Sequence, residues 1–153
     1  LDLKSKDNVW WRVAERYDLK KNLPDGYVFQ GEVVGPKIQG NKYNLDAVDV
    51  YFYNVWDIKE QRYLSPGNAM GMILGVPGLK LVPQLGPITI GRSIGELVQT
   101  ATQMSTINAG IPMEGIVFRP IEETTDPILA KKCPGNRVSF KVINPEFLLK
   151  YGV

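Results

Sequence analysis

Two glutamates and one lysine, each in a strand-like setting, are the residues best placed to do chemistry in this chain. They are Glu32 within Phe29-Gln30-Gly31-Glu32-Val33-Val34, Glu114 at the head of Glu114-Gly115-Ile116-Val117-Phe118-Arg119, and Lys141 within Ser139-Phe140-Lys141-Val142-Ile143. A carboxylate in a strand is costly to bury without a partner. By strand alternation Arg137, Ser139 and Lys141 share one cationic face, opposite Val138, Phe140 and Val142. Taken singly, these features are those of an edge-strand glutamate, a strand start and a solvated face. The chain has no histidine, which removes His-dependent triads, imidazole metal sites and the usual neutral-pH general base. What remains is carboxylate, lysine, arginine and metal-ion electrostatics, the means of phosphoryl and nucleotidyl transfer.

Around these residues lie two further features. In Tyr51 to Ile58, alternation places Tyr51, Tyr53, Val55 and Asp57 on one side and Phe52, Asn54 and Trp56 on the other. Rings on such a strand either fill core or stack on a ligand. The stretch from Gly35 to Asn44, with two glycines and a proline, is expected to be a loop bearing Lys37, Gln39, Asn41 and Lys42. Those side chains suit RNA backbone or metal-bound water, because lysine contacts to phosphate position a nucleic acid without reading its sequence. A plain polar surface loop has the same composition.

The elements that must hold these residues follow from periodicity and punctuation. Asp7 or Asn8 can cap a helix with Trp10, Val13, Ala14 and Tyr17 on its apolar face, ending near Lys20. Pro24-Asp25-Gly26 marks a turn, and strands are expected at 27–34 and 48–58. Pro66-Gly67 opens a second irregular region, with short apolar pieces at 79–85 and 88–90. Ser93 and Glu96 have capping-box spacing ahead of a helix with Ile94, Leu97, Val98, Ala101 and Met104 on its apolar face. Strands at 116–119 and 137–143 flank a loop from Glu122 to Asn136, and Asn144-Pro145-Glu146 starts a short helix reaching Tyr151. The pattern is an α+β domain dominated by antiparallel strands.

Composition sets the outer limits. The 153 residues suffice for one domain with a core, and 44% apolar content excludes a disordered tail. A net charge of +2 does not by itself announce nucleic-acid binding, so any RNA contact must be local. No apolar run approaches a membrane span. The single Cys133 permits no internal disulfide, which suits a reducing cytoplasm.

In order and spacing, the segments at 29–36, 51–58, 114–120 and 139–143 resemble the motif series of covalent nucleotidyltransferases, specifically the ATP-dependent RNA ligases. Gly35-Pro36-Lys37-Ile38-Gln39-Gly40-Asn41-Lys42-Tyr43 looks like the Deinococcus-type branch. The resemblance implies an antiparallel-sheet adenylation core with flanking helices. It also implies ATP with Mg²⁺ or Mn²⁺ as cofactors, RNA 3′-hydroxyl and 5′-phosphate ends as substrates, and no membrane. By the same resemblance Glu32 contacts the ribose or the nucleophilic lysine, and Tyr53 stacks on adenine, with Phe52 in that place if the register slips by one. Glu114 helps bind the metal, Val117 covers the second face of adenine, Arg119 supports the phosphate end and Lys141 contacts the α-phosphate. Family members often carry a second lysine where this chain has Ser139.

The nucleophile motif, Lys-x-Asp-Gly, does not occur in the sequence; Lys21 to Gly26 has the wrong spacing. In the family that motif lies upstream of the point matching Leu1. The expectation is therefore a partial nucleotidyltransferase domain over residues 1–153, inactive alone in self-adenylylation. The alternatives are a degenerate nucleotide- or RNA-binding module, or a DNA-ligase or capping relative.

Overall fold

Asn8 begins the first helix as a true N-cap, its Oδ1 accepting the Trp11 amide at 3.0 Å. The computed structural model describes residues 8–91, 93–128 and 137–152; Asp7, Cys133 and the 129–136 part of the expected loop lie outside them. The chain divides into two compact units, Leu1–Val82 and Pro83–Val153.

In the first unit, α1 (Val9–Arg16) stops earlier than periodicity suggested. Asp18 adopts the left-handed conformation at φ 45°, breaking the chain before the short α2 (Leu19–Asn22). The buried face of α1 is Val9 and Val13, one turn apart. Trp10, about 100° further round the helix, is thereby turned outward rather than into the expected apolar face.

Strand β1 (Tyr27–Val34) pairs antiparallel with β2 (Asp49–Asp57), as the β-branched and aromatic runs require. Their register slips between Gln30 and Gly31: Gln30 opposes Asn54 and Gly31 opposes Phe52, so no β1 residue stands opposite Tyr53 in the register. This is a β-bulge, and it overturns strict alternation along β2. Val50, Phe52 and Val55 enter one core, whereas an unbroken strand would have put Val55 opposite Phe52. The short β3 (Arg62–Tyr63) pairs antiparallel with the end of β2.

The region expected to be irregular after Pro66 is instead the helix α3 (Pro66–Gly75), with Ser65 as N-cap and proline in its first turn. Ala69 and Ile73 are buried and pack the helix against β2. The next segment, β4 (Lys80–Leu81), joins β2 in a parallel pair. Full burial of side chains such as Val55 and Ile73 contributes about 1.5–3 kcal/mol each.

In the second unit, α4 (Ile94–Ala101) carries the complete capping box: Ser93 Oγ accepts the Glu96 amide and Glu96 accepts the Ser93 amide at 2.8 Å. Leu97 and Ala101 are buried, while Ile94 of the expected apolar face is 82% exposed. Strands β5 (Gly115–Phe118) and β6 (Phe140–Ile143) form an antiparallel pair, with Phe118 and Phe140 stacked at 5.0 Å. Asn144 caps α5 (Pro145–Tyr151), which anchors through the fully buried Phe147.

Arg137 is not part of a solvated cationic face. It is buried and its guanidinium pairs with Glu123 at 2.6 Å, because an isolated bridge to Thr125 precedes regular β6 pairing and turns the residue inward. No helix among the described residues is long and apolar enough to cross a membrane.

Candidate functional site

Glu32, Lys37, Gln39 and Tyr53 line one cavity of about 380 Å³ in the first unit, together with Trp10 and the Gly31 backbone. Tyr53 reaches this wall by the alternation that sends its neighbour Phe52 into the core, while the slip beside it brings Val55 to the core side. The Asn54 side chain donates to Gln30 Oε1 at 2.9 Å across the strands, bracing the paired side of the slip. Gly31 must be small, since a Cβ there would lie 2.9 Å from the Tyr51 carbonyl oxygen.

The loop that follows is strained. Between Gly35 and Asn44 the non-glycine residues Lys37, Gln39, Asn41 and Asn44 all have positive φ, at 68°, 44°, 51° and 48°. Such a conformation costs about 1–2 kcal/mol per L-residue, less for asparagine, and concentrates where function fixes a backbone. Asn41 secures the loop with both ends of its amide, donating to the Leu45 carbonyl and accepting the Leu45 amide, each at 3.0 Å. Lys37 and Gln39 are exposed at the cavity, whereas Asn41 and Lys42 are not among its lining.

A second polar cluster, which sequence reasoning missed, ties α1 to the sheet. Asp49 accepts hydrogen bonds from the Tyr17 hydroxyl and from Lys80, and Arg16 donates to the Val48 carbonyl at 2.8 Å. Burial pushes the Asp49 carboxyl up, but bonds from Lys80, Tyr17 and the Val50 amide outweigh it and hold the group below the usual carboxylate range. Burial and the Asp49 bond push the Tyr17 phenol up, and the same carboxylate raises Lys80.

In the second unit, Glu114 and Lys141 form an ion pair, both half-exposed. Glu114 precedes β5, so its carboxylate escapes the strand alternation that would have set it opposite Val117. Val117 and Lys141 are direct cross-strand partners and share a face. Gly115, at φ 156°, permits the close approach, and the Asn144 amide donates to the Glu114 carbonyl at 2.9 Å. Arg119 follows the strand and is half-buried.

Among the described residues no group of three or more metal-ligating side chains exists. A single protein carboxylate such as Glu114, here paired with Lys141, suffices for a hard divalent cation that brings most of its ligands as water and substrate phosphate, the usual habit of Mg²⁺.

Helices packed with antiparallel sheets are a fold that known structures share. The chain is similar to a Naegleria gruberi RNA ligase with PPi, at 24% identity and a TM-score of 0.80, covering 97% of this chain and 42% of that one. Mutants of that ligase agree: one with AMP and Mn at 24% identity and a TM-score of 0.81, covering 97% and 42%, and one with ATP and Mn at 24% and 0.75, covering 93% and 40%. The chain thus spans about two-fifths of the length of these structures. No curated protein matches. The RNA ligase family matches residues 2–143, and the chain belongs to that family.

Proposed function

We propose that this chain is part of the nucleotidyltransferase domain of an ATP-dependent RNA ligase of the Deinococcus-type branch, which joins an RNA 3′-hydroxyl to a 5′-phosphate. The support is the family match over residues 2–143 together with Glu32 and Tyr53 on one cavity wall, as the motif order requires. ATP, AMP and Mn occur with the Naegleria gruberi ligase and its mutants, and ATP with Mg²⁺ or Mn²⁺ is the corresponding pair here.

In the first step a lysine Nζ outside this sequence attacks the α-phosphorus, the bond to pyrophosphate breaks, and the lysine loses a proton. AMP then passes to the RNA 5′-phosphate, and the 3′-hydroxyl displaces it. Tyr53 stacks on adenine, a contribution of about 1–3 kcal/mol that fixes geometry. Glu32 holds the ribose or the nucleophile, and Lys37 and Gln39, with Asn41 and Lys42 behind them on the loop, meet RNA backbone. Val117 packs on the base, Arg119 supports the phosphate end, and Lys141 neutralises charge at the α-phosphate. Glu114 would hold the divalent cation, which when bound supplies charge neutralisation on the phosphates.

Intact mass of the full-length gene product after incubation with ATP and Mg²⁺ tests this. A gain equal to AMP on a lysine is the expected result. No adduct with any of several divalent metals overturns the ligase assignment and leaves a module that only binds nucleotide or RNA.

A further inference from the structure

Resting on the ligase reading above, we propose that Trp10 is a platform on which the base of an RNA end nucleotide stacks, with Lys37 holding that nucleotide's phosphate. Trp10 and Trp11 are neighbours with different employment. The Trp11 indole N–H donates to Glu15 Oε1 at 2.7 Å, whereas Trp10 is 61% exposed and forms part of the cavity wall. The helix turns the ring off the core: with Val9 and Val13 buried and Asn8 as cap, position 10 lies about 100° round from the buried face, where the ring lines the cavity. Its surroundings are mixed, with Lys37, Gln39, Glu32 and Tyr53 beside Val33 and Ile38 on the same cavity.

A ring beside an exposed lysine is the pairing that binds single-stranded nucleic acid without regard to sequence. The indole takes a base face and the ammonium takes the backbone. The Glu32 carboxylate in the same cavity repels a phosphate and drives it toward Lys37. At about 380 Å³ the open cavity lies at the lower end of small-molecule site volumes. With Tyr53 engaged by adenine, the exposed part of the Trp10 ring serves a second nucleotide at the rim, which in a ligase is the RNA end. Trp10 then acts in the RNA-dependent steps and is silent in lysine adenylylation.

The experiment measures binding of 5′-phosphorylated single-stranded RNA to the full-length protein by fluorescence anisotropy, against the same strand made abasic at its terminal nucleotide. Wild type should prefer the intact strand by about 5- to 150-fold, the range a single base stack supplies. Trp10→Ala should bind both strands alike while forming the lysine adduct at the wild-type rate. Trp10→Phe should keep most of the preference, and Trp11→Phe should match wild type. Retention of the full preference by Trp10→Ala overturns the proposal. So does an equal loss of adenylylation, which assigns the ring to the ATP site, or a change confined to sedimentation behaviour, which assigns it to a protein contact. Loss of base preference in Trp10→Ala from a wild type that forms no adduct sinks the ligase reading and leaves the RNA subsite standing.

Discussion

Substituting Gly115 by alanine should break the β5–β6 pair that positions Glu114, Val117 and Lys141. A Cβ at this position would sit 2.2 Å from the Val142 carbonyl oxygen and 2.9 Å from the Ile143 Cα. Ordinary carbon–oxygen contact begins near about 3.3 Å, so β5 and β6 must part by about 1 Å. At that separation two or three ladder hydrogen bonds fail, each contributing about 1 kcal/mol net. The backbone at φ 156° adds about 1–2 kcal/mol for any side chain. The sum is about 3–5 kcal/mol, or about 6–20 °C in Tm for a protein of this size. Gly152→Ala is the control: φ there is 64°, with nothing within 4 Å of the added carbon. It should cost only the conformational part, about 1–2 kcal/mol. Thermal unfolding of both variants by circular dichroism separates clash from conformation. If Gly115→Ala melts within about 2 °C of Gly152→Ala, the close approach of the two strands is refuted.

Other outcomes follow from the same geometry. Asp49 is held below the usual carboxylate range in the folded protein, so its stabilisation is complete above the unfolded carboxylate pKa and is lost as pH falls through the lower folded value. Asp49→Asn should cost about 1.5 kcal/mol at neutral pH, the low end for a charged hydrogen bond because Lys80 stays half-exposed, and should flatten the acid limb of a stability–pH curve from urea unfolding. Ser93→Ala removes the capping box of α4 and should lower stability by about 1 kcal/mol, read from the same unfolding curves. In the full-length protein, Tyr53→Ala should weaken ATP binding about 5- to 150-fold by calorimetry, while Tyr53→Phe keeps most of it. Lys141→Ala should slow formation of the lysine adduct about 100- to 1,000-fold in rapid-quench assays, the usual loss for one charge-stabilising donor.

The elements legible in the sequence are those with a local cause. The capping box at Ser93, the Asn144 cap ahead of Pro145, and the runs that became β1 and β2 each carry their own signal. Helix α3 was hidden because Gly67, Gly71 and Gly75 lie within it, each costing about 1 kcal/mol relative to alanine. Packing of Ala69 and Ile73 on β2 outweighs that local preference. Arg137 was misplaced because its partner Glu123 is distant in sequence. The same holds for the Tyr17, Asp49 and Lys80 cluster, whose members are joined only by the fold. The outward turn of Trp10 had a usable signal, since an Asn8 cap with Val9 and Val13 one turn apart already names the buried face.

The bulge at Tyr53 separates two demands that a regular strand would force on one residue. Every other position of β2 between Asp49 and Asp57 must satisfy a cross-strand neighbour as well as its own surroundings. Position 53 has no β1 residue opposite it in the register and lines the cavity, so a change of its side chain leaves the backbone pairing on either side in register. Ligand preference in this half of the molecule is therefore open to change by single substitutions that leave the sheet intact, and a selection for altered nucleotide use should find its first mutations there.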